Sequence, residues 1–178
     1  MIGVALLIGT GKSHQEGENE LDAVRRSFGG AGSSEDTVPH ITLFAARSFD
    51  MKSAKPALEA LARSCAPITV SVRGLGVLGG SRLSLSLAVA RAPRLAALQK
   101  AAIEEIGRFG TGLDSDYAVN AWVPHVALAA ADSPAAIVTL AEKLSSFELS
   151  FDILSGELGF VEATADGPRV LVSHPLDA

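Results

Sequence analysis

The nine residues Val38 to Ala46, VPHITLFAA, return as Val123 to Ala131, VPHVALAAA, with Val, Pro, His, Leu and two Ala at the same offsets. His40 and His125, two of only four histidines, thus occupy one frame in opposite halves of the chain. Periodicity alone does not put a histidine behind Val-Pro twice, so the recurrence reads as an internal duplication. In an extended strand residues i and i+2 share a face. His40 and Thr42 therefore project together, about 7 Å apart at Cα, while Ile41 and Leu43 anchor the opposite side.

The order of elements supports a duplication. Ile2 to Ile8 reads as a buried strand, with no basic residues before it and no small-residue cleavage site after it to make it a signal peptide. A polar loop follows, then a helix from about Glu20 to Phe28 that ends at Gly29 and Gly30. The small polar run to Asp36 leads into the first histidine strand. Next come a helix over Ser53 to Cys65, with Pro56 in its first turn, and the strands ITVSVRGLGVL and RLSLSLAVA, separated by Gly79 and Gly80. A second cycle runs from a helix over Ala92 to Phe109, through a Gly/Asp-rich loop at Gly110 to Asp116, to the second histidine strand at Trp122 to Ala130. A helix over Pro134 to Leu144 and three closing strands complete it. These cycles predict an α+β fold of two related lobes facing each other, in a single domain spanning 1–178 with approximate half-repeats 1–80 and 81–178.

Composition narrows the function. With 48% apolar and 20% charged residues the chain is of the soluble globular kind. Its formal charge of −5 argues against coating nucleic acid, which depends on Lys and Arg neutralising phosphates, but leaves room for a small nucleotide or an RNA end. The lone Cys65 rules out an internal disulfide and a thiolate metal cage, and fits a cytoplasmic setting. No apolar run reaches the roughly 20 residues needed to cross a bilayer.

Two facing imidazoles suit acid-base chemistry, since each has an ordinary pKa near 6.5. A phosphodiester fits the pair: one ring takes the proton of the attacking water or hydroxyl, the other protonates the leaving oxygen, and no metal is required. The Thr42 hydroxyl is placed to donate to a phosphoryl oxygen.

At these residues the chain resembles the two-histidine phosphoesterase superfamily, which includes bacterial 2′-5′ RNA ligase-like proteins and cyclic nucleotide phosphodiesterases. Its mark is a pair of His-x-Thr/Ser motifs followed by an apolar residue. PHITL, Pro39 to Leu43, matches in full; PHVAL, Pro124 to Leu128, has Ala127 where the hydroxyl belongs. The resemblance implies two pseudo-twofold-related lobes, each an antiparallel sheet with helices on its outer face, around a central cleft. It implies His40 and His125 as acid and base, Thr42 as phosphate ligand, and 2′,3′-cyclic or 2′-5′ linked phosphodiesters as substrates, with no cofactor. Many relatives carry Arg five residues after the second histidine, where this chain has Ala130. The loss of one oxyanion donor costs on the order of 100- to 1000-fold in rate, which predicts a weak enzyme or a nucleotide-binding module unless another group fills the gap.

Arg82, Arg73 and Arg169 are the cationic candidates for that gap. Arg82 is favoured because it begins the strand after the Gly79-Gly80 turn. Phe44, on the His40 face by strict alternation, and Tyr117, on the rim, are candidates to stack on a base; Trp122 reads as core. His14 and His174 read as surface residues. GTGKS at Gly9 to Ser13 imitates a phosphate-binding loop, but the glycine that motif needs five positions before Gly11 is Leu6, inside a strand. Neither a His-Glu-x-x-His nor a Gly-x-Ser-x-Gly pattern occurs.

Overall fold

The computed structural model describes residues 1–9, 16–28, 38–79, 83–165 and 167–178. Lys12, His14 and Arg82 lie outside them, as do the run 29–37 and most of the imitation phosphate-binding loop. The described residues form nine strands and four α-helices: β1 (Ile2–Leu7), α1 (Glu16–Ser27), β2 (His40–Phe49), α2 (Met51–Arg63), β3 (Ile68–Leu78), β4 (Leu83–Val89), α3 (Pro93–Ile106), β5 (Gly110–Leu113), β6 (His125–Ala131), α4 (Pro134–Glu142), β7 (Ser150–Ser155), β8 (Glu157–Thr164) and β9 (Gly167–Pro175). All strand pairings are antiparallel. One sheet has the order β5-β2-β1-β8-β9 and the other β6-β4-β3-β7. Helices α2 and α3 pack on the first, α1 and α4 on the second, giving the expected two-lobed α+β fold. Each sheet draws strands from both halves of the sequence.

Burial explains why the histidine strands lie as they do. Ile41 and Leu43 are buried with Val4 and Leu6 of the neighbouring strand and Ile8 just beyond it, as Val126 and Leu128 are with Leu85 and Leu87. A slip of one residue would expose two apolar side chains, each worth about 1.5–3 kcal/mol buried, and drive the histidine into the core. In RLSLSLAVA apolar and polar residues alternate, and the structure follows: Leu85 and Leu87 face the core, while Ser84 and Ser86 flank Leu85 on the other face of the strand.

Three local expectations shift. Helix α2 starts earlier than Ser53, because Asp50 caps it by accepting from the Lys52 N–H and the Ser53 hydroxyl. Pro56 therefore lies beyond the first turn, in a helix held down by Ala54, Leu58, Leu61 and Ala62. The Gly/Asp-rich loop begins as β5, paired with β2 through Ala46↔Leu113 and Phe49↔Gly110. A Cβ on Gly110 would come within 3.2 Å of the Ala46 Cβ, so glycine there permits the strands to meet. Residues Trp122 to Pro124 precede β6 rather than join it.

Candidate active site

Each histidine begins its strand, and both rings are tethered alike. Nδ1 of His40 lies 3.0 Å from the Val38 carbonyl oxygen; Nδ1 of His125 lies 2.8 Å from that of Val123. A carbonyl only accepts, which assigns the proton to Nδ1 in each neutral ring and leaves the Nε2 lone pair for chemistry. The frames match further. The Ile8 N–H donates to the Pro39 carbonyl at 2.8 Å, and the Val89 N–H to the Pro124 carbonyl at 3.2 Å. His40 pairs with Leu7 across β1, His125 with Ala88 across β4, and each strand has a bulge at the third residue after its histidine, Leu43 or Leu128.

That bulge corrects one expectation. Strict alternation puts Phe44 on the face of His40, but the extra residue turns Phe44 inward. It pairs with Val4, is 2% exposed, and packs edge-on against Phe49 with ring centroids 5.8 Å apart. Phe44 belongs to the core and is not available to a base.

Two cavities flank the histidines. His125 borders one of about 340 Å³ with Ser84, Asp114, Asp116, Tyr117 and Trp122. His40 borders one of about 200 Å³ with Arg25, Ser84, Ala127 and Ala130. Ala127, carried by the strand of His125, thus lines the cavity of His40, and Ser84 borders both. β2 and β6 also pack directly together, and the Trp122 indole N–H donates across to the Thr42 carbonyl at 2.9 Å.

The electrostatics agree with one shared site. Burial lowers the pKa of His40; the hydrogen bond to Val38 opposes this, and the charge of His125 adds to the lowering. Tyr117, on a 3₁₀ turn at Ser115–Tyr117, has its phenol pKa raised by burial and by the charge of Asp114, against a side-chain hydrogen bond with Thr42. The Gln99 amide N–H of α3, fully buried, donates to the Tyr117 carbonyl at 2.8 Å and sets the turn in place.

His40, Thr42, Tyr117 and His125 are therefore brought to one cleft. Arg73 is not: it pairs with Asp152 at 2.9 Å beside a separate cavity of about 660 Å³ between α1 and β7. Arg169 pairs with Glu162 across β8 and β9 at 2.5 Å. Sequence reasoning missed Arg25, Ser84 and Gln99. The LSLSL alternation put Ser84 on a non-core face, but nothing in it told which strand lies alongside. Among the described residues no group of three His, Cys, Asp or Glu side chains is arranged to hold a metal.

Two tethered imidazoles on duplicated strand frames, in the cleft of a two-lobed α+β fold, define a two-histidine site. The chain belongs to the 2′-5′ RNA ligase superfamily, whose family profile matches residues 13–167, and this is a superfamily of phosphoesterases and ligases. Among solved structures it is similar to TT0787 of Thermus thermophilus, at 18% identity and TM-score 0.62 over 99% of this chain and 98% of that one. It is also similar to Kluyveromyces marxianus Usb1, at 13% identity and TM-score 0.57 over 98% of each chain. The same Usb1 with uridine monophosphate matches at 12% identity and TM-score 0.54, over 98% of this chain and 97% of that one. At such identities these likenesses concern the fold. No curated protein matches the sequence.

Proposed function

We propose that the protein is a metal-independent phosphodiesterase that opens 2′,3′-cyclic or 2′-5′ linked phosphodiesters of nucleotides or RNA ends by two-histidine acid-base catalysis. The observation that carries this reading is the matched tether, Nδ1 to the carbonyl two residues back, which leaves the Nε2 lone pair of each ring for chemistry. His40, whose pKa is lowered, is the neutral ring and the base. Its Nε2 takes a proton from the attacking water as the new P–O bond forms. The bond to the leaving ribose oxygen breaks, and His125, protonated at Nε2, gives that oxygen its proton. Thr42 donates to a phosphoryl oxygen once its hydroxyl turns from Tyr117. The larger cavity beside His125 takes the nucleoside, with Tyr117 on its wall. A structural relative solved with uridine monophosphate supports a nucleotide as the occupant.

A second reading, a nucleotide or RNA-end binding module without turnover, draws on Ala127, which lines the cavity of His40 where a hydroxyl is expected. Incubation with 2′,3′-cyclic nucleotides in excess chelator separates the two. The enzyme hydrolyses them and His40→Ala or His125→Ala abolishes the reaction, whereas the module binds without turnover.

A further inference from the structure

The two histidine strands differ at the second residue after the histidine: Thr42 in β2, Ala127 in β6. The missing hydroxyl has a neighbour. In the β4–β6 ladder Ser86 lies directly opposite Ala127 and Ser84 directly opposite Ala130, and opposed residues of an antiparallel pair share one face of the sheet. Ala127 and Ala130 are both exposed, so where β6 could have covered the serines it presents methyl groups open to the cleft.

We propose that Ser84 and Arg25 form the phosphate subsite of the cleft, with Ser84 supplying from β4 the hydroxyl that the second histidine strand lacks. This rests on the phosphodiesterase reading above. Ser84 borders both the cavity of His125 and that of His40, which is where a phosphorus atom attacked from one ring and left toward the other must sit. The Oγ atoms of Ser84 and Ser86 are 3.1 Å apart, and Ser86 is fully buried. With Ser86 donating to Ser84, the Ser84 proton is free for a non-bridging phosphoryl oxygen, and a chain of two hydroxyls makes the terminal donor stronger.

Arg25 enters from the last turn of α1, which packs on the second sheet, and lines the His40 cavity together with Ala127 and Ala130. It also contacts Asp22 at 3.9 Å, and the planar fork of a guanidinium suits two phosphoryl oxygens. Ser84 and Arg25 would be catalytic residues because they touch substrate; Ser86 acts through Ser84 and is a positioning residue.

The test uses the full chain and two readouts, hydrolysis of uridine 2′,3′-cyclic phosphate and binding of inorganic phosphate followed by NMR titration. Ser84→Ala should lower kcat/KM by about 10- to 100-fold, toward the range for loss of one oxyanion donor. Arg25→Met should weaken phosphate binding about tenfold, and Arg25→Lys should recover only part of it, since an ammonium cannot offer two parallel donors. Ala127→Thr should restore about tenfold to Ser84→Ala, a rescue that a merely structural role of Ser84 would not give. If Ser84→Ala and Arg25→Met stay within about twofold of the parent in both readouts while His40→Ala abolishes turnover, the subsite is wrong and the enzyme reading survives. If the parent shows no turnover, phosphate affinity decides alone: loss in both variants supports the subsite and no loss overturns it.

Discussion

Trp122→Phe tests what holds the two histidine strands together. The indole is 3% exposed, and its N–H reaches the Thr42 carbonyl at 2.9 Å, tying the segment that enters β6 to the middle of the first motif. Phenylalanine keeps most of the buried ring but removes the donor, losing a half-buried hydrogen bond worth about 0.5–1.5 kcal/mol. The Arg91 guanidinium, 6.0 Å from the ring centroid, loses a fraction of a further ~0.5 kcal/mol on the poorer π face. At roughly 2–4 °C per kcal/mol for a chain of this length, Tm should fall by about 1–8 °C. Turnover measured well below Tm should fall by at least about tenfold in kcat, because a displacement near 1 Å between reacting groups can cost about 100-fold. Calorimetry and steady-state kinetics on the cyclic nucleotide read both effects. A variant with unchanged Tm and unchanged kcat would refute the bridging role of the indole.

The remaining predictions concern the groups around the cleft. His125→Gln removes the charge that helps lower His40, so the His40 pKa should rise while burial keeps it below the ordinary imidazole value near 6.5; an unmoved His40 Cε1 titration by NMR would show that the rings do not share a field. In the parent, the unfolded chain binds more protons at this position than the folded one between 6.5 and the lowered value, so stability should fall as pH drops through that window; His40→Gln should flatten the slope seen in denaturant melts. A Cβ on Gly3 would stand 3.0 Å from the Thr42 Cγ2, so Gly3→Ala should turn the Thr42 side chain and cut kcat while costing at most about 1 kcal/mol of stability, because a side-chain methyl can move aside. Gln99→Met should cost only about 1 kcal/mol, since Oε1 of Gln99 has no hydrogen-bond partner among the described residues, yet should raise KM by releasing the Tyr117 turn, as a KM-against-kcat comparison would show.

The sequence showed most where a local pattern repeated. The duplicated frame located both histidine strands, and the LSLSL alternation predicted the faces of β4, because side-chain direction in a strand follows from period two alone. What escaped depends on partners remote in sequence. β5 is glycine-rich and reads as a loop; it becomes a strand because β2 offers an edge and Gly110 allows the approach. The bulges at Leu43 and Leu128 leave no compositional trace, so alternation carried Phe44 to the wrong face. Arg25 and Ser84 meet only when α1 crosses to the second sheet and β4 lies against β6. Ion pairing removed Arg73 and Arg169 from consideration, an outcome set by cross-strand neighbours rather than by their own strands.

The account stands on the convergence of His40 and His125 upon one phosphoryl group. A crystal structure of the protein with a non-hydrolysable phosphodiester nucleotide measures this directly. It should place both Nε2 atoms within about 3 Å of oxygens on the same phosphorus, with Thr42 on a third oxygen. An anion held by one ring alone, or lodged in the cavity beside Arg73, would contradict it.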